Sequence, residues 1–192
     1  SGGAAALAPP PVGMTLRAAI HAEIAGIAPF DAQETAVRDA ALAWVASGVE
    51  LCRLARPATP PRHLVCYFLA TDGDHVLLVD HILAGLWLPT GGHVEPGEHP
   101  RDTVAREAME ELGVAARFVR PGPLFITATE TVGATAGHVD VSLWYELSVE
   151  RRRALAFDRG EFRAIRWFRE DAVPFDRADP ELGRFLAKRR AP

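Results

Sequence analysis

Glu107, Glu110 and Glu111 set three carboxylates at i, i+3 and i+4 of a run, 100–112, that is rich in helix formers, so a helix there presents them on one face. Like charges at that spacing repel by a few tenths of a kcal/mol per pair. The cluster therefore costs stability unless something positive sits over it. Hard divalent cations take oxygen ligands, and Mg²⁺ in particular binds through a few carboxylates together with substrate phosphates. The plain alternative is a solvated acidic face balanced by Arg101 and Arg106. The residues around the glutamates decide between the two. Gly92, Glu98, Arg106, Glu107, Glu110, Glu111 and Gly113 stand at the spacing G-x5-E-x7-R-E-U-x-E-E-x-G-U, with Ala108 and Val114 at the apolar U positions.

Seven fixed residue types, each at about 7% usage, would coincide by chance in a chain of this length on the order of once in a million sequences. The pattern is the Nudix box, and over residues 62–190 the chain resembles the Nudix hydrolases, which cleave nucleoside diphosphates linked to some other group X. The resemblance implies an α+β Nudix fold, a mixed β-sheet sandwiched between helices, with a divalent cofactor, Mg²⁺ or Mn²⁺. It implies Glu107, Glu110 and Glu111 as metal ligands, Glu107 as first choice of general base, Arg106 as the group that orients a carboxylate, and Glu98 as a support behind the ligands. Gly91 and Gly92 would lie against substrate and metal, the Gly91 carbonyl joining the metal shell. Many relatives read Pro-Gly-Gly here, whereas this chain has Pro89-Thr90-Gly91-Gly92. Outside the box, Glu130, His138 and Asp140 are further candidates for the general base, flanking a Gly-rich tip, Val132–Gly137, that would be placed to close over the site, although the ordinary strand-end polar residue is the favoured reading of each. His93 and His99 read as solvated loop residues.

The elements that must position these groups can be read from periodicity. Pro100 suits a first helical position and Gly113 the residue just past a helix end. Ala105, Ala108, Met109 and Leu112 recur at i, i+3, i+4 and i+7, which predicts the buried stripe opposite the glutamates. Strands are expected at His63–Ala70 and His75–Asp80, joined through Thr71-Asp72-Gly73-Asp74, and then at Ala115–Val119, Leu124–Glu130, Val139–Val149 and Phe162–Phe168. A last helix is expected over Leu182–Arg190. Ahead of the box domain, assigned to residues 62–192, a helical N-terminal extension spans residues 15–57. There Leu16, Ile20, Ile24 and Ile27 keep a helical period, and Asp31 to Glu34 has the form of a capping box opening a helix to about Ser47. The extension carries no catalytic constellation and reads as a cap or homodimer element, whose deletion should alter KM or assembly more than the chemical step. Arg56 to Pro61 reads as a stiff linker and residues 1–14 as a flexible leader.

A 192-residue chain with 48% hydrophobic and 24% charged residues can bury an ordinary globular core. Its formal net charge of −4 offers no general attraction to nucleic acid or anionic membrane. No run of eighteen apolar residues is present, and Cys52 and Cys66 lack metal-ligand spacing, so buried free thiols and a cytoplasmic setting are expected. A nucleotide-sensing module without catalysis is the alternative class, but such modules usually lack box carboxylates. The related isoprenoid diphosphate isomerases use a catalytic Cys, while Cys66 falls in an interior strand. No proline stands about fifteen residues past the box, as in ADP-ribose hydrolases, and Thr131 replaces the tyrosine of dinucleoside polyphosphate hydrolases. Nucleoside triphosphates are thus the expected substrates, with ADP-ribose and nucleoside diphosphate sugars next. Trp144, Tyr145, Phe125 and Trp167 read as core rather than base-stacking residues.

Overall fold

Along one extended run Leu64, Cys66, Phe68 and Ala70 turn their side chains into one apolar cluster, while Tyr67 and Leu69 turn theirs into another. That period-two alternation makes a strand with two buried faces and fixes the layers of the molecule. In the computed structural model, which describes residues 14–131 and 137–191, this run is β1 (Arg62–Asp72). The other strands are β2 (His75–His81), β3 (Trp87–Leu88), β4 (Thr90–His93), β5 (Phe125–Glu130), β6 (Val139–Ser148) and β7 (Phe162–Arg169), and the helices are α1 (Leu16–Ala25), α2 (Ala32–Ala46), α3 (Pro100–Leu112) and α4 (Leu182–Arg190).

All seven strands join one mixed sheet in which β3, β2, β1, β6 and β5 follow one another, β4 pairs with β1 and β7 with β2. β1 and β6 run parallel from Arg62↔Val139 to Thr71↔Ser148, and the remaining pairs are antiparallel. Helix α4 covers one face through Leu182, Phe185 and Leu186 against Leu69, Leu78, Phe125 and Trp144. The opposite face carries α1, α2 and α3 through Ile20, Ile24, Ala41, Val45, Val104, Ala108 and Leu112. The expected sheet between helices is what forms.

The N-terminal helices belong to that same buried cluster. The Asp31 side chain accepts from the Glu34 backbone N–H at 2.8 Å, as a helix cap does. Glu34 itself is fully buried, and its carboxylate accepts from Phe30 N–H, from Ile126 N–H on β5, and from Lys188 Nζ on α4 at 2.7 and 2.9 Å. One side chain thereby ties α2 to the sheet and to the last helix.

The strand expected at Ala115–Val119 is corrected. Ala115–Val119 forms no strand, only a single bridge from Phe118 to Leu147. Thr90 to Gly92, which the box resemblance places only against substrate and metal, form strand β4, because the glycines allow the backbone to lie against β1 with Gly91 opposite Tyr67 and Gly92 opposite Cys66. Ala40 of α2 is exposed, and Glu34 takes a place on its buried face. Cys52 and Cys66 are buried free thiols, and Trp144, Tyr145 and Phe125 are core. Among the described residues, no helix is long and apolar enough to cross a membrane. Apart from Met14 the leader, and positions 132–136 of the Gly-rich tip, lie outside the described residues.

Candidate active site

Pro100 opens α3 at its first position, and Gly113 closes it at φ 65°, ψ 30°, a left-handed conformation that favours glycine. Its buried face is Val104, Ala108, Glu111 and Leu112, whereas Ala105 is exposed and Met109 is 54% exposed. At 3.6 residues per turn, the buried stripe is rotated by roughly 60° from the one that apolar spacing predicts. The rotation turns two glutamates toward β4. A packing site for them exists because β4 has no side chains at that point. A Cβ on Gly92 would lie 2.0 Å from Glu107 Oε1, and Gly91 N–H donates to Glu111 Oε2 at 3.0 Å. Gly91 has a second constraint, since a Cβ there would lie 2.0 Å from the Cys66 carbonyl oxygen.

Arg106 organises the rest. Its Nε and Nη2 donate to the two oxygens of Glu98 at 2.9 and 3.0 Å, a bidentate pair. Its Nη1 donates to Glu107 Oε1 at 2.7 Å and to Glu110 Oε2 at 3.2 Å, and Nη2 reaches the His93 carbonyl at 3.3 Å. Thr103 Oγ1 and Glu95 N–H complete the cradle of Glu98 at 2.7 and 3.2 Å. Burial would push the Glu98 carboxyl up, but the Arg106 and Thr103 hydrogen bonds outweigh it and hold the group below its ordinary range. The Glu98 hydrogen bond in turn raises the Arg106 guanidinium, which stays charged.

The two inward glutamates show the opposite. Burial, opposed by the Arg106 hydrogen bond and charge, leaves the Glu107 carboxyl raised. Burial, then the charges of Glu107 and Glu161, push Glu111 up to about 9, with the Gly91 hydrogen bond pulling slightly the other way. Two carboxylates turned inward, of which Arg106 pairs with Glu107 alone, are the donor set a hard divalent ion requires. Gly91, Gly92, Glu98, Arg106, Glu107, Glu110 and Glu111, the residues that the resemblance assigns to the site, therefore meet in one place.

Sequence reasoning missed Glu161. It stands at the foot of β7, anchored by its carbonyl accepting from Ile82 N–H at 2.9 Å, with its carboxylate 3.5 Å from His81 Nε2. Its charge acts on both Glu107 and Glu111. Nothing in the run Asp158-Arg159-Gly160-Glu161 marks it, because β2 and β7 pairing alone brings it to the box. His93 and His99 are also corrected. His93 lies on β4, where burial and the Arg53 charge take its ring down to about 3. His99 caps α3, accepting from Arg101 N–H at 3.2 Å. His138 and Asp140 gather around His63 instead of the box. A large open cavity of about 1190 Å³ runs between Ala19, Glu23, His99, Arg101 and Pro121 and has none of the box glutamates in its wall.

A family model for the NUDIX domain matches residues 59–188. The chain belongs to the Nudix family. The chain is 41% identical over 56 residues to the nucleoside triphosphatase NudI of Salmonella heidelberg (strain SL476), a match covering 27% of this chain and 40% of that protein. It is 31% identical over 130 residues to the NAD-capped RNA hydrolase NudC of Erwinia tasmaniensis, covering 65% of this chain and 45% of the relative. It thus spans less than half the length of these curated relatives. Among solved structures, a MutT NUDIX hydrolase from Burkholderia pseudomallei superposes with a TM-score of 0.56 at 23% identity, over 66% of this chain and 97% of that one. That likeness bears on the fold, and the Nudix box carries the chemistry.

Proposed function

We propose that this Nudix chain is a divalent-metal-dependent hydrolase of nucleoside diphosphate-X compounds that cuts nucleoside triphosphates to monophosphate and pyrophosphate. The observation that carries the reading is the pair of raised, inward-turned carboxyls of Glu107 and Glu111 beside the single guanidinium of Arg106. The oxygen-only donor set fits Mg²⁺ or Mn²⁺, held by Glu107, Glu110 and Glu111 with the Gly91 carbonyl close by. When bound, such an ion neutralises charge on phosphoryl oxygens and acidifies water.

The chain's own groups supply the rest. Glu98 fixes the Arg106 fork, and Arg106 in turn fixes Glu107 through Oε1, leaving Glu107 Oε2 to take the proton from the attacking water. Glu161, exposed and beside both inward carboxylates, is the second candidate for that proton. Gly91 and Gly92 keep a Cβ-free wall through which phosphates approach the backbone. The helical extension, residues 15–57, caps the sheet that carries this site.

The absence of the sugar- and dinucleotide-specific residues, together with the 56-residue match to a nucleoside triphosphatase, supports triphosphates. The longer match to a hydrolase of NAD-capped RNA makes dinucleotides the second reading. A panel of nucleoside triphosphates, ADP-ribose and NAD⁺, assayed with Mg²⁺ or Mn²⁺ and analysed for phosphate before and after added pyrophosphatase, tests it. Phosphate released from triphosphates only after pyrophosphatase, and abolished by chelator, is the expected result. Hydrolysis of ADP-ribose or NAD⁺ with indifference to every triphosphate would refute the substrate class. Chelator-resistant turnover would refute the metal.

A further inference from the structure

On the sheet face that α4 packs against, Asp140 of β6 stands directly opposite His63 of β1, His138 lies two residues before it, and His93 sits diagonally across on β4. The His63 and His138 rings stack at 5.0 Å and 24°, and the His63 and His93 rings lie 5.0 Å apart. His63 Nε2 is 3.0 Å and His138 Nε2 3.4 Å from the same atom, Asp140 Oδ1. His63 is fully buried, and its Nε2 and Asp140 Oδ1, 3.0 Å apart, are both buried without a hydrogen-bond partner. His93 Nε2 is likewise buried and unpartnered.

The His63 tautomer follows from the hydrogen-bond network. His63 Nδ1 lies 3.2 Å from the Pro60 carbonyl, which can only accept, so Nδ1 carries the proton and Nε2 a lone pair. Thr131 Oγ1 donates to the His138 carbonyl at 3.0 Å, accepts from His138 N–H at 3.4 Å and stands 3.1 Å from His138 Nδ1, which leaves His138 Nε2 turned toward Asp140. The His63 Nε2 lone pair, His138 Nε2 and a carboxylate oxygen then converge on one point. His63 is fully buried and its Nε2 has no hydrogen-bond partner, a cost that a bound cation would remove. A ring N–H fixed by a carbonyl or hydroxyl is the usual support behind a metal-bound imidazole.

We propose that His63, His138 and Asp140 form a second metal site, for Zn²⁺ or a similar first-row transition ion, distinct from the all-oxygen site of the box. Two nitrogens and one oxygen with an open fourth position suit Zn²⁺ and disfavour Mg²⁺. Zinc bonds of about 2.0–2.1 Å in a tetrahedron set ligand atoms about 3.3–3.4 Å apart. The two separations to Asp140 Oδ1 are 3.0 and 3.4 Å, and all three ligand atoms lie within 4.8 Å of one another. Arg53, whose charge reaches His63, His93 and Asp140, and Arg56, whose charge reaches His93, oppose the cation, and Asp140 offsets them. The proposal is independent of the catalytic reading, since it uses none of the box residues.

The test is zinc content by elemental analysis after dialysis, together with the visible spectrum of the Co²⁺-loaded full chain. One equivalent of zinc and a tetrahedral cobalt band are expected. His138→Ala and Asp140→Asn, checked for fold by circular dichroism, should weaken zinc by at least about 100-fold, and His63→Gln should do the same if it folds. Glu107→Gln and Glu111→Gln should keep the zinc equivalent and the cobalt band. Absence of zinc and cobalt binding in the unaltered chain would overturn the site. Loss of the ion in the glutamate variants, with retention in His138→Ala, would do so too.

Discussion

Gly92→Ala and Gly91→Ala insert the same methyl group one residue apart, yet they should fail in different ways. The Gly92 methyl would lie 2.0 Å from Glu107 Oε1 and 2.5 Å from Cδ, both at the far end of a flexible side chain. Real Cβ contacts stay beyond 3.0 Å, so the carboxylate must retreat by about 1 Å. A misplacement of about 1 Å in a catalytic constellation costs on the order of 100-fold in rate, or about 2.7 kcal/mol of barrier. The fold should barely notice. At Gly91 the obstacle is the Cys66 carbonyl at 2.0 Å and Tyr67 Cα at 2.8 Å, and the φ of +154° is itself strained for alanine. Backbone strain of about 1–3 kcal/mol and overpacking of about 1–3 kcal/mol add to roughly 2–6 kcal/mol. For a chain of this size that lowers Tm by roughly 4–24 °C. Thermal unfolding by circular dichroism and metal-supported turnover, run on both variants, separate the two effects. A Gly92→Ala protein with undiminished turnover, or with a Tm loss matching that of Gly91→Ala, would refute the packing argument.

The buried Glu34–Lys188 pair predicts that Lys188→Met costs about 3–5 kcal/mol in urea unfolding by leaving Glu34 uncompensated, and that adding Glu34→Gln recovers much of it. Glu23, pushed up by burial to about 7 from 4.5, favours its protonated form when folded, so its contribution is present below about 4.5 and is lost as pH rises through about 7. Glu23→Gln should therefore flatten the fall of Tm across that window and gain up to about 3 kcal/mol at pH 8, whereas an unchanged pH profile would show that water reaches the carboxyl. Met109→Ala should shift stability by no more than about 0.5 kcal/mol, as befits an exposed side chain, and a loss above 2 kcal/mol would mean the helix face has been misassigned.

The Nudix box, the limits of α3 and α4 and the hairpin at Gly73 were legible in the sequence, because each rests on local chemistry, while the layered architecture followed from the family resemblance that the box carries. Proline and glycine punctuate a helix, alternation makes a strand, and a fixed spacing of charged groups needs no tertiary contact to be recognised. What the fold alone decided is which way those elements face. Apolar spacing aimed Met109 at the core and Glu111 at solvent. The vacant side of β4, with no Cβ at Gly91 or Gly92, drew Glu107 and Glu111 inward and left Met109 outside. Glu161 reached the box, and His63, His138 and Asp140 reached one another, only through strand pairing between segments 75 or more residues apart in the chain, such as His63↔Asp140 and His81↔Phe162. Periodicity along the chain reports neighbours a few residues away, whereas the register of a sheet is set by how its faces are buried, which no local pattern encodes.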